Sequence, residues 1–185
     1  MNALHTIIIL LAAFLAVFFQ SSFGFFGHFF GAQIDLLPVL VVYASLTTSL
    51  ISVALVALAG GLLFDSISAN PLGVSAFPLF IIGFAIHRFH GLLLREHRHA
   101  QFVLGVIASV LAPLFTLLIL LSGQHNPLIG WGTFWQFIFM GASGGVLTPI
   151  CFWILDRVTG ALSYKPVAQT TFRPDRQIKR GRGRG

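Results

Sequence analysis

The sequence predicts an all-α polytopic membrane protein, with six transmembrane helices over residues 1–157 and a basic, disordered tail over residues 158–185. Three observations carry this. Hydrophobic residues make up 56% of the chain and charged residues only 9%, where soluble domains run to about a quarter charged. Mean hydropathy is +0.90 in a chain of 20.1 kDa, and the 20 Phe residues outnumber the 11 Lys/Arg and 5 Asp/Glu together. A globule of that size has too little interior to hide so much apolar surface from water, so lipid is its solvent. Third, the cations are segregated. Arg88, Arg95 and Arg98 fall in one loop, and the other Lys and Arg residues all lie from Arg157 onward. Positive residues beside membrane spans stay on the cytoplasmic side, so this loop, the tail and, with six spans, both termini are expected in the cytoplasm.

The length leaves room for about six spans of roughly 20 residues each, which excludes a separate soluble catalytic domain. The single cysteine, Cys151, excludes an intramolecular disulfide and a cysteine-based metal cluster.

Span 1 is expected over Leu4 to Phe19. It carries no Lys or Arg before the apolar run and no A-x-A cleavage site after it, so it reads as a retained span, not a signal peptide. The Phe- and Gly-rich residues 23–31 suit an interfacial or re-entrant segment. Leu36 to Phe64 is a run of 29 largely apolar residues. As one helix it would extend about 44 Å, well beyond a ~30 Å hydrocarbon core. It therefore divides near Thr47-Thr48-Ser49 into a short span 2 and a span 3, and the short one needs cover from protein or local bilayer thinning. With six spans Asp35 and Asp65 share the outer face; with the run fused into one span they would lie on opposite faces. Ser66 to Gly73, with Asn70-Pro71, is turn chemistry. Span 4 follows over Ser75 to Ile86, span 5 over Phe102 to Leu121 and span 6 over Trp131 to Leu155, with Pro149 expected to kink the last where Thr148 re-satisfies the backbone.

Asp35 and Asp65 are carboxylates at the ends of apolar runs, where charge is expensive and so has a reason. Asp35 opens span 2, where an acceptor side chain caps free backbone N–H groups and Pro38 suits a first turn. Asp65 closes span 3, where a carboxylate opposes the helix dipole; bonding to N–H groups of the Ser66–Gly73 turn explains it better. Ala54, Ala57, Gly61, Asp65 and Ser68 recur at three- and four-residue steps, forming one narrow helix face that suits close packing within the protein. Gly141 and Gly145 form a second such face in span 6. Arg88, Arg95, Arg98, Lys179 and Arg180 are read as lipid-facing. Each cation near an anionic leaflet gains roughly 1 kcal/mol, which accounts for the Arg-Gly tail without a nucleic-acid partner. His87, His90, His97 and His99 lack ligand spacing for a metal. No nucleophile-elbow, zinc-protease or phosphate-loop motif occurs. No enzyme activity, cofactor or metal is expected.

Gln20-Ser21-Ser22, Asp35-Leu-Leu-Pro-Val-Leu-Val-Val-Tyr43, Gly60-Gly-Leu-Leu-Phe-Asp65-Ser and Asn70-Pro-Leu-Gly73 leading into Gly83 resemble the rod shape-determining MreD family. The match covers roughly residues 7 to 157, with Pro149, Phe152 and Arg157 fitting its last span loosely; its specific part is the block from Gly61 to Gly73. The resemblance implies an inner-membrane subunit of the bacterial elongation machinery that binds the MreC scaffold. That machinery includes MreB, a SEDS glycan polymerase and a penicillin-binding transpeptidase, and directs side-wall peptidoglycan synthesis. The resemblance also implies a helix arrangement similar to the substrate-binding component of energy-coupling-factor transporters. Asp35, Gly61, Asp65, Asn70, Pro71, Leu72 and Gly73 are the residues expected to hold the partner-binding end. The alternative is a membrane component of a transporter binding a small molecule or lipid precursor, which would place a cavity between Asp35 and Asp65. A proton or ion pathway needs more acidic stations than these two.

Overall fold

A computed structural model describes residues 3–22, 34–68, 70–89, 98–123 and 130–162. Its elements are six helices: α1 Ala3–Ser22, α2 Leu37–Thr47, α3 Leu50–Ile67, α4 Ala76–Arg88, α5 Arg98–Ser122 and α6 Trp131–Leu162. Among the described residues there is no strand. By length and composition α1, α3, α5 and α6 can each cross a membrane, whereas α2 and α4 are shorter apolar helices. The Phe/Gly-rich segment, Arg95, His90, His97 and the tail with Lys179 and Arg180 lie outside the described residues.

The long apolar run divides at the hydroxyl cluster. Thr47 Oγ1 donates to Tyr43 O and Thr48 Oγ1 to Ala44 O, both at 2.7 Å, so side chains take carbonyls that end α2. Ser49, in extended conformation, then caps α3 by accepting from Ser52 N. The chain reverses there. Thr6 and Ser52 hydroxyls meet at 2.8 Å, joining the N-terminal ends of α1 and α3. At the other end Gln20 Nε2 donates to Asp35 Oδ1 at 3.3 Å, joining the end of α1 to the start of α2. A Cβ placed on Gly60 would lie 2.8 Å from the Leu37 side chain and 3.8 Å from Ala13. Thus α3 runs back alongside α2, and Asp35 and Asp65 stand at the same end, as two separate segments require and one fused helix forbids.

Helix α2 is the hub. Its 11 residues rise only about 16 Å, and every residue from Leu37 to Ser45 is buried. All five other helices pack against it. Protein, not thinned bilayer, supplies its cover. The outer surfaces of the long helices are apolar: Ile7, Phe14 and Phe18 of α1, Ile51 of α3 and Trp135 of α6 are all more than half exposed. Such a belt is stable only against acyl chains.

Helices α5 and α6 approach through small residues. A Cβ on Gly105 would strike Thr148 Oγ1 and lie 2.6 Å from Gly144 O, and one on Gly144 would strike the Ser109 hydroxyl. Gly141 and Gly145 face Val110, Val106 and Phe102, so this glycine pair serves packing within the chain. Four boundaries differ from the expectation by three residues or more: α1 continues to Ser22, past Phe19, and α3 to Ile67, past Phe64. Helix α5 begins at Arg98, four residues before Phe102, and α6 continues to Leu162, past Leu155. In the added turns of α6 the Thr159 hydroxyl donates to Leu155 O at 2.7 Å, and polar residues extend the helix beyond its apolar stretch. Helix α6 continues through Pro149. The Thr148 hydroxyl donates to Gly144 O at 2.7 Å, one carbonyl before the Gly145 oxygen that proline leaves without its amide.

Candidate functional site

The two carboxylates sit at one end of the bundle, each with its own partners. Asp65 is 1% exposed. Its Oδ2 accepts from Gly73 N at 2.8 Å and from Ser75 N at 3.1 Å. The last turn of α3 is thereby tied to the first turn of α4. Ser75, at the N-cap of α4, makes no capping bond with its own side chain; Asp65 supplies the acceptor from the neighbouring helix. The carboxylate lies at the unfavourable end of α3, but it also lies at the favourable, positive end of α4, which offsets the dipole penalty. Asp65 Oδ1 is buried and has no hydrogen-bond partner among the described residues.

The turn is built by the residues between. Val74 N donates to Pro71 O at 3.3 Å, closing a four-residue turn whose third position is Gly73, at φ +91°. A left-handed residue at that position is the requirement of a type II turn, and glycine meets it without strain. Asn70 precedes the turn, and Leu72, its second residue, is 71% exposed. One helical turn before Asp65, Gly61 is pressed onto the backbone of Ala76 at the start of α4. Gly73→Ala is expected to cost about 1–2 kcal/mol, from the backbone alone, since a Cβ there would meet nothing within 4 Å. Gly73→Asn, which tolerates the left-handed region, should lose less than half as much in thermal unfolding of the purified protein. Equal stability of Gly73→Ala and wild type would show that the turn relaxes.

Asp35 Oδ1 accepts from Leu37 N at 2.9 Å as well as from Gln20, so it caps α2 from one residue outside the helix. Burial pushes its carboxyl above the usual carboxylate range, against the pull of the Leu37 N–H and the Gln20 amide. Gln20 Nε2 also donates to Ile34 O at 2.6 Å. The role of Gln20 as the clasp between α1 and α2 was not drawn from the sequence. The available pointer was a polar residue with two donors at the end of an apolar span.

The opposite end holds the basic residues. Arg88 ends α4, Arg98 begins α5, and both are exposed. Arg157 in α6 lies over the Trp153 ring, 4.8 Å from its centroid. The sequence did not single out the polar cluster that fixes this end. The buried Tyr43 hydroxyl donates to Asp156 Oδ1 at 3.0 Å and lies 3.4 Å from His5 Nε2, while its ring packs edge-on against Phe152 at 4.8 Å. Three helices, α1, α2 and α6, are joined through one phenol. His87 Nδ1 lies 3.0 Å from Ser45 O, fixing the end of α4 to α2. A cleft of about 1150 Å³ lies toward this end, between the start of α5 and the stretch of α6 from Val146 to Asp156; neither Asp35 nor Asp65 lines it. Among the described residues no cluster of His, Cys, Asp and Glu could hold a metal ion.

These features define a class: a polytopic helical membrane protein with Asp35 and Asp65 tied into one end and Asp156 and its described arginines at the other. Within it, the chain belongs to the MreD family, since residues 1–158 match the model of the rod shape-determining protein MreD. No curated protein and no solved structure matches the chain. Family membership makes it a membrane protein of cell-shape determination.

Proposed function

We propose that the protein is the non-enzymatic inner-membrane subunit of the bacterial elongation complex. It binds an MreC-type scaffold and, with MreB, the SEDS polymerase and the penicillin-binding transpeptidase, helps to direct side-wall peptidoglycan synthesis. The family match over residues 1–158 carries this reading. All six helices cross the bilayer, in an arrangement similar to the substrate-binding component of energy-coupling-factor transporters. Both termini are cytoplasmic. In support, α1 starts at the end where Arg88, Arg98 and Arg157 lie.

The partner meets the end built by Asp35, Gly61, Asp65, Asn70, Pro71, Leu72 and Gly73. Ile67, Leu72 and Phe77, all more than half exposed around the α3–α4 turn, form an apolar knuckle that suits a transmembrane segment of the scaffold. The geometry does not favour the transporter alternative: Asp65 is spent on backbone N–H groups, and the cleft lies at the other end. Depletion should turn rod-shaped cells round, and the wild-type chain should restore them. Leu72→Glu should fold normally, since the side chain is exposed, yet reduce recovery of the scaffold in detergent pulldowns about tenfold, the loss typical of one buried anchor. Unchanged morphology on depletion refutes the shape role. Full scaffold recovery with Leu72→Glu refutes this docking face.

A further inference from the structure

The cleft between α5 and α6 has two unlike halves. One is apolar: Phe102, Val146, Ile150 and Trp153 line it, and each remains 43–57% exposed. The other is polar, with Arg98, His99 and Gln101 from the first turn of α5 and Asp156 from α6. At about 1150 Å³ it is at or above the upper end of ordinary small-ligand sites, roughly 300–1,000 Å³. A water-soluble metabolite would leave the apolar half unused, and a simple apolar molecule would leave the polar half with Arg98 and His99 unused. An amphiphile with an acidic head satisfies both.

We propose that this cleft binds a single acidic phospholipid from the leaflet that faces the basic end. Its phosphate sits against Arg98 and His99, and its acyl chain runs along Val146, Ile150 and Trp153. Among the described residues, two arginines against one carboxylate leave the cleft and its border net positive, which favours an anion. Arg98 lines the cleft and Arg157 sits beside it on Trp153, while the acidic group present, Asp156, accepts from the Tyr43 hydroxyl. The site differs from a diffuse attraction of the tail to the surface because it combines fixed donors with a fixed apolar wall.

The proposal rests on the membrane orientation given above and not on the shape role, so its test does not use cell shape. The full-length chain carries three tryptophans; Trp131→Phe with Trp135→Phe leaves Trp153 as the reporter inside the cleft. This protein is reconstituted in phosphatidylcholine vesicles containing a minor fraction of phosphatidylglycerol, with bromine on the acyl chains of one lipid or the other. Brominated phosphatidylglycerol should quench Trp153 as though enriched roughly fivefold over its bulk fraction, the preference expected of one cation near an anionic headgroup. Arg98→Gln with His99→Gln, both exposed positions, should bring the two lipids to parity, and Arg98→Lys should keep most of the preference. Equal quenching in the wild-type background overturns the proposal. So does a preference that survives Arg98→Gln with His99→Gln, which would assign it to diffuse surface charge.

Discussion

Asp65→Leu is expected to destabilise the detergent-purified protein by about 2–4 kcal/mol, because it strands one buried and one half-buried backbone donor, at roughly 1–3 kcal/mol for the buried one and less for the other. The donors are Gly73 N and Ser75 N, at 2.8 and 3.1 Å from Oδ2, and no water replaces the carboxylate at a residue 1% exposed. The apolar gain of a leucine does not offset this, since its branched end must fit where a flat carboxylate lay among backbone atoms. Asp65→Asn separates the acceptor from the charge. The amide oxygen can still accept from both N–H groups, and its NH₂ takes the place of Oδ1, which has no partner to lose. Only the charge-assisted part and the favourable placement at the start of α4 go, about 1–2 kcal/mol. Thermal unfolding should therefore rank wild type, Asp65→Asn and Asp65→Leu in that order. If the partner docks on this end, scaffold recovery should fall in the same order. Identical unfolding of Asp65→Leu and wild type would mean that the turn is held by other contacts, and the assignment of Asp65 as the clasp would fail.

How far the sequence reveals such features depends on the range over which each is determined. The break at Thr47–Ser49 was legible because it is local: hydroxyl residues compete for backbone carbonyls within one turn, and the length of the apolar run demands a break. The Gly73 partner of Asp65 was legible for the same reason, since it is only eight residues away, whereas Ser75 lies two residues beyond the turn that was expected to hold the carboxylate. The central position of α2 could be anticipated only as a need for cover, because nothing in its residues says which helices supply it. The Tyr43–Asp156 bond spans 113 residues, and no periodicity links the two. In the sequence Tyr43 stood out as the end of the family-like run from Asp35, and Asp156 beside the basic segment was passed over. The early start of α5 was hidden by Arg98 and His99, which hydropathy places outside a span although nothing in their backbone preferences opposes a helix. Gly61 was marked as part of a narrow face. That its neighbour would be the backbone of Ala76, and not a side chain, follows only from the reversal between α3 and α4.

That distinction gives Gly61→Ala a large effect for a single methyl group, about 3 kcal/mol, the upper end of the usual cost of overpacking. The added Cβ would strike Ala76 Cα and lie 2.7 Å from Ala76 N and 2.8 Å from Ala76 Cβ. A side chain could rotate away from such a contact, but the start of a helix cannot, so α4 must move off α3. Ala76→Gly would relieve only one of those three contacts and should recover less than half of the lost stability; full recovery would show that the side chain alone was the obstacle. Gly160→Ala is the matching control, since a Cβ there meets nothing within 4 Å, and it should be neutral or slightly stabilising through helix propensity. The displacement also reaches the carboxylate. Gly61 and Asp65 are one turn apart on the same face, so moving Ala76 outward carries the neighbouring Ser75 N–H away from Oδ2 with it. The two substitutions should therefore be less than additive when combined, by at least about 1 kcal/mol in a double-mutant cycle. Strict additivity would mean that the helix approach and the carboxylate clasp are independent supports of this end, and that a partner seated there could release one without disturbing the other.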